Sequence, residues 1–248
     1  TVKKTPLSDF SNPRKAGIIA VALDEDDVLI GVEITNGAQD VVLVSDAGKA
    51  VWFDEEDVRP MGRTARGVRG MRLAEQQKVL SLLVADNDQQ TVLVATENGF
   101  GKRTALADFR HSGRGTQGVI AIAASERNGK VVAARLVRDD DEIMLITTGG
   151  VLIRTRVREI RELGRATQGV TLIALDAGES LPVWKKSSRP KTKPSHPGSR
   201  WPRRPKPTRA ANDAWSIDAR RAADRRSGDG PVACCGQAAM NDDLLREL

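Results

Sequence analysis

Arg63, Arg114 and Arg165 each follow a glycine, in Gly62-Arg-Thr-Ala-Arg-Gly-Val68, Gly113-Arg-Gly-Thr-Gln-Gly-Val119 and Gly164-Arg-Ala-Thr-Gln-Gly-Val170. Successive copies are 51 residues apart. A guanidinium is a permanently charged, planar fork of donors that matches a phosphate. Arginines at one repeated loop position could therefore form a row of phosphate grips. The competing reading is a structural hydrogen bond from each arginine to a neighbouring turn carbonyl. A weaker copy of the element, Asn12-Pro-Arg-Lys-Ala-Gly17-Ile18, adds Arg14 and Lys15, and the loop after Gly62 also carries Arg66 and Arg69. The strand before each loop adds Lys3 and Lys4, Lys102 and Arg103, and Arg154 and Arg156. At the place of Lys4, Arg103 and Arg154 the second repeat has Trp52, which is read as a packing residue.

Other chemistries find little support in the side chains present. The chain has no Tyr, so it cannot form a phosphotyrosyl link to a cut strand. Two histidines, His111 and His196, and one vicinal pair, Cys234 and Cys235, are too few for a zinc site of normal spacing. His111 has no Ser or Cys partner at readable spacing. Gly113-Arg-Gly-Thr-Gln-Gly118 matches the dinucleotide pattern G-x-G-x-x-G only by letter, since its sister copies lack the middle glycine. The acidic stretches Asp24–Asp27, Asp54–Asp57 and Asp139–Glu142 lack the alternation of a calcium loop and read as solvated turns. Phosphates should avoid them, which predicts a basic track and a separate acidic side. No catalytic residue and no metal site is predicted, so the chain is not expected to be an enzyme by itself.

The elements that must position these groups are short strands. VVLV at 41–44, VLSLLV at 79–84, TVLVAT at 91–96 and IMLITT at 143–148 are Val- and Ile-rich runs bounded by turn residues. A second marker, Asp46-Ala-Gly48, Glu97-Asn-Gly99 and Thr148-Gly-Gly150, keeps the same 51-residue step. Each unit reads as strand, tight turn, strand, arginine loop and two further strands, with the turn glycine supplying a positive φ. Four strands in about 50 residues match a propeller-like blade, which buries its faces only against its neighbours. The fold class is all-β, with about four such blades.

Charge divides the chain. Of 39 Lys+Arg and 33 Asp+Glu, residues 1–181 hold 24 and 26, and residues 182–248 hold 15 and 7. The overall +6 is thus a +8 tail added to a −2 body, and it is no argument for nucleic acid binding by the body. The Pro- and Arg-rich tail is predicted to be disordered, with room for one short helix at 209–226. No apolar run approaches the roughly 18 residues of a membrane helix. The N-terminus TVKKTPLSDF reads as the start of a fragment.

Several stretches together resemble the C-terminal domain of the DNA gyrase A subunit: VKKTPLSDF, DVLIGV at 27–32, RPMGRTARGVRGMRL at 59–73, ENGFGKRTALADF at 97–109, TQGVIAI with SERNGKVV at 116–132, and RTRVREIRELGRATQGVTLI at 154–173. The A subunit of topoisomerase IV is the sister family. The resemblance implies a β-pinwheel over residues 1–181, a propeller relative whose blades, usually six, exchange strands. It implies wrapping of double-stranded DNA on a basic perimeter that favours negative supercoiling. It also implies a parent complex of two A and two B subunits in the bacterial cytoplasm, where the N-terminal part of gyrase A cuts DNA. ATP and Mg2+ are used elsewhere in that complex, and this chain needs no cofactor. The family's Q-R-R-G-G-K-G-like loop is absent. A protein-interaction scaffold of propeller type is the alternative from another class, although the few aromatics in the body give it little to bind with.

The tail departs from the acidic tails of that family, and a slipped reading frame accounts for it. A family-like L-A-G-L-E-K-V-V-E-A, encoded CTG GCC GGT CTG GAA AAA GTC GTC GAG GCC, becomes L-P-V-W-K-K-S-S-R-P when one G is lost after CTG. That is Leu181 to Pro190 as they stand. Resequencing the coding DNA across Leu181 tests this, and an intact frame with an unshifted homologous reading nowhere in register would refute it.

Overall fold

A computed structural model of the chain describes residues 1–87, 89–186 and 232–237; for 183, 185 and 232–237 it describes the backbone alone. The chain divides into a unit of Thr1–Ser187 with Gly230–Leu248 and a unit of Ser188–Asp229. The second unit lies outside the described residues, as does the helix expected at 209–226.

Every described strand pairing is antiparallel, and no described residue is α-helical. The first repeat gives β1 (Val2–Pro6) and β2 (Leu29–Thr35), and the second gives β3 (Asp40–Ser45), β4 (Lys49–Asp54) and β5 (Val79–Ala85). The third gives β6 (Thr91–Thr96), β7 (Phe100–Ala105), β8 (Val119–Ile120) and β9 (Val131–Val137). The fourth gives β10 (Glu142–Ile146), β11 (Leu152–Arg156), β12 (Val170–Thr171) and β13 (Val183–Lys186). β14 (Val232–Gln237) follows far along the chain.

Neighbouring repeats exchange strands, as the resemblance implies. The second sheet has the order β5-β3-β4-β8 and the third β9-β6-β7-β12, so each is closed by a two-residue strand from the repeat that follows. Val68 makes the same exchange with Val2, through two backbone hydrogen bonds of 2.8 Å. Among the described residues only these two sheets are four-stranded. The fourth, β13-β10-β11, has three strands among the described residues.

Two parts of the tail read as disordered are strands. β13 pairs with β10, and β14 lies between β1 and β2. β14 there takes the place that β3 holds between β4 and β5. A sheet edge offers unpaired N–H and C=O groups to any extended backbone of suitable reach, and charge in the surrounding sequence does not prevent that pairing. The remaining tail residues lie outside the described ones.

The period-2 alternation of the central strands builds the core on both faces. Val41 and Leu43 pack with Val2, Phe53 and Met71, while Val42 and Val44 on the other face pack with Leu83, Val92 and Val94. Leu93 and Ala95 in turn face Ile143, Leu145 and Trp184. Aliphatic residues thus fill the space between sheets, and Trp52 packs among them as expected.

Candidate nucleic-acid interface

The glycine boxes are loops laid across the sheet of the preceding repeat. Met61, Ser112 and Leu163 donate their N–H to the carbonyls of Lys4, Trp52 and Arg103, at 2.9, 2.8 and 2.9 Å. Each box then runs to its last glycine, where φ is +107° at Gly67, +73° at Gly118 and +85° at Gly169. A Cβ on these glycines would stand 2.5, 2.3 and 2.6 Å from a strand carbonyl. Only glycine both takes that φ and lets the loop return onto the sheet. The first glycines, Gly62, Gly113 and Gly164, take no positive φ, so the left-handed bend of each box lies beyond its arginine.

The lysines expected on the surface are beneath these loops. Lys102 is fully buried, and its Nζ donates to the carbonyls of Gly164, at 2.6 Å, and Arg165, and to Thr167 Oγ1 at 3.2 Å. Lys3, 2% exposed, reaches the carbonyl of Arg63 and that of Ala20, at 2.7 Å. Lys4, 6% exposed, donates to the carbonyl of Glu55 at 3.0 Å and lies 3.8 Å from its buried carboxylate. Burial and then the nearby Arg165 guanidinium push Lys102 down to about 8, against an opposing pull from Asp108. Lys3, Lys4 and Lys102 are therefore positioning groups inside the protein, which corrects their reading as phosphate contacts. Lys3 and Lys102 lie on strands that carry the loops and reach the loops' carbonyls, while Lys4, on the other face of β1, reaches the 3-10 turn at Glu55.

Arg63 and Arg114 of the boxes make structural hydrogen bonds to neighbouring carbonyls, as the competing reading expects. Arg63 donates to the carbonyl of Ile19 at 2.9 Å, and Arg114 to those of Asp57, at 2.8 Å, and Arg69, at 3.1 Å. Arg103 is nearly buried, donating to the Ile160 carbonyl at 2.7 Å and pairing with Asp139. Its donors are thus engaged by the protein, although Asp139 itself is exposed. Arg66 pairs with Asp24 and Arg154 with Glu142. The acidic residues thus reach arginines and do not form a separate side: strand exchange brings the box residue Arg66 to Asp24 of the preceding repeat, while Arg154 and Glu142 meet within the β10–β11 hairpin. Arg14, Lys15, Arg69 and Arg156 are exposed.

A family model described as DNA gyrase C-terminal domain, beta-propeller, matches residues 1–36, 39–86, 90–138 and 141–181, one stretch per repeat. The chain belongs to this family. It is 55% identical to the DNA gyrase A protein of Pseudomonas aeruginosa over 181 residues, 73% of this chain and 20% of that one. Identity to its Klebsiella oxytoca counterpart is 53% over 190 residues, 77% of this chain and 22% of the relative. The chain spans about a fifth of the length of these curated relatives. Among solved structures, the C-terminal domain of DNA topoisomerase IV aligns with a TM-score of 0.70 at 27% identity, covering 74% of this chain and 58% of the other. The DNA gyrase A C-terminal domain aligns with a TM-score of 0.65 at 29% identity, covering 75% and 64%. The strand exchange described above is thus the β-pinwheel of the gyrase A C-terminal family.

Two groupings escaped the sequence reading of this family member. His111, read as isolated, has its Nε2 3.5 Å from Asp40 and 3.6 Å from Asp54, and its ring stands edge-on to Trp52 at 4.9 Å. Asp40 and Asp54 face each other in the β3–β4 register, and the box loop brings His111 to them. These three are the described groups that could hold a metal, and with a protonated imidazole they form an ion-paired cluster. The second grouping is Arg59, Arg110 and Arg161, all exposed. They repeat at the same 51-residue step as the boxes, a signal present in the sequence.

Proposed function

We propose that this chain binds double-stranded DNA without reading its sequence, holding it on exposed arginines and lysines of successive pinwheel blades. In the parent type IIA topoisomerase that hold would wrap DNA and favour negative supercoiling. Membership of the gyrase A C-terminal family carries the reading, and the recurrence of exposed arginines at one step per blade gives it a physical means. Phosphate contacts at fixed spacing release counterions whatever the bases are, and their sum offsets the several kcal/mol needed to bend stiff duplex. The strand-cutting tyrosine and the ATP site would belong to the N-terminal part of gyrase A and to gyrase B, in an A2B2 complex of the bacterial cytoplasm. This chain would be non-catalytic, with Mg2+ and ATP used elsewhere.

The topoisomerase IV reading has the higher TM-score in its favour, 0.70 against 0.65. Sequence favours gyrase, because identities above 50% are to gyrase A proteins. Relaxed plasmid incubated with the full chain and a type I topoisomerase separates the readings. A shift of the topoisomer distribution toward positive writhe supports gyrase-like wrapping. Binding without a shift supports the topoisomerase IV reading, and no binding would leave the protein-interaction scaffold.

A further inference from the structure

We propose that Arg59, Arg110 and Arg161 are the principal phosphate-contacting residues of three successive blades, while Arg63 and Arg114 chiefly brace the loops they stand on. This deepens the DNA-holding reading above and rests on it.

Identical local construction supports the assignment. Each arginine follows a short 3-10 turn, Glu55–Asp57, Leu106–Asp108 or Val157–Glu159. Each turn ends on a buried apolar residue, Val58, Phe109 or Ile160, whose backbone is extended. Consecutive side chains of an extended backbone point to opposite faces, so the residue after the buried one faces solvent. The residue after each arginine is pinned to the sheet, by the bridges Pro60–Lys4, His111–Trp52 and Glu162–Arg103. Each arginine is thus anchored on both sides, and its Cα recurs at the same place in three blades. Fixed anchors reduce the ordering cost of gripping a phosphate and set the spacing between grips.

The guanidinium groups themselves separate the two rows. Arg59, Arg110 and Arg161 make no hydrogen bond or ion pair with any described residue. Asp57, Asp108 and Glu159, two residues before each, stay outside ion-pair distance. Arg63 and Arg114 already donate to loop carbonyls. An arginine that turns from its carbonyl to a phosphate gives up one hydrogen bond for another and loosens its loop. An unengaged one exchanges only water and counterions, so its full contribution appears in binding.

The test compares two triple variants of the full chain, Arg59, Arg110 and Arg161 each to Ala, and Arg63, Arg114 and Arg165 each to Ala. Affinity for a duplex long enough to span the blades is measured against salt concentration, and the tail's cations cancel in the differences. The first variant is expected to reduce the slope of log K against log salt by about 2–3, with an unchanged thermal midpoint. The second is expected to reduce it by no more than about 1, with a lowered midpoint and faster amide exchange in the loops. A larger slope loss in the second variant overturns the assignment and leaves DNA holding intact. An undiminished slope in both overturns the assignment together with the DNA-holding role of these blades.

Discussion

The loops 113–118 and 164–169 have the same place in successive repeats and lie on their sheets through the same backbone bond, yet side chains hold them from opposite sides. Lys102 supports 164–169 from inside, with its ammonium on two carbonyls and a threonine hydroxyl. One repeat earlier the place of Lys102 is taken by Val51, a core residue, and Arg114 holds 113–118 from outside through the carbonyls of Asp57 and Arg69. A repeated arginine therefore does not imply a repeated role. Where no lysine lies beneath, the arginine itself supplies the missing donor. At 62–67 both devices are present, Lys3 beneath and Arg63 above.

The largest effect should come from the device the two loops share. Gly118→Ala and Gly169→Ala each force an L residue to a positive φ and place Cβ against a strand carbonyl. Each should cost about 2–4 kcal/mol in denaturant unfolding. Tolerance at one loop and loss at the other would show that the two backbones are built differently, and would break the comparison at its base.

Lys102 gives the next effect, through pH. Its folded value of about 8 lies below the 10.5 of an unperturbed lysine. Between those values the unfolded chain holds a proton that the folded protein has released, so stability rises with pH across that window. Below about pH 8 the cost of the buried charge is fully present. Wild type is therefore expected to gain up to about 3 kcal/mol relative to Lys102→Met between pH 8 and 10.5. Parallel stability curves for the two proteins would show that the ammonium is not held as described.

The smallest effect separates the arginines. Arg114→Ala should destabilise by about 1 kcal/mol and speed amide exchange at 113–118, since two carbonyls lose their donor. Arg165→Ala should change stability by less than about 0.5 kcal/mol, because Lys102 still holds that loop. Equal effects at the two positions would remove the distinction between inside and outside support.

Much of this was legible in the residues themselves. The 51-residue step of the boxes, the turn glycines Gly48, Gly99 and Gly150 and the Val-rich runs mark strands and blades, because φ and side-chain period are local properties of the chain. The acidic-apolar-arginine triplets around Arg59, Arg110 and Arg161 were also there to be read. What local reading cannot supply is direction across a contact between repeats. Lys102 and Arg103 are adjacent in sequence, and only the neighbouring repeat's loop shows that the first takes up carbonyls in a buried space. His111 looks isolated until strand exchange sets it between Asp40 and Asp54, and Asp24 looks like part of a separate acidic side until the same exchange delivers Arg66 to it.

The sequence by itself therefore determined the repeat, the all-β class and the family, since each follows from residue type at fixed spacing. Tertiary structure alone decided which cations face solvent. A lysine or arginine has a long flexible stem and several donors, and its fate depends on whether an unpaired carbonyl from another repeat lies within reach. That is settled by the packing of one blade on the next.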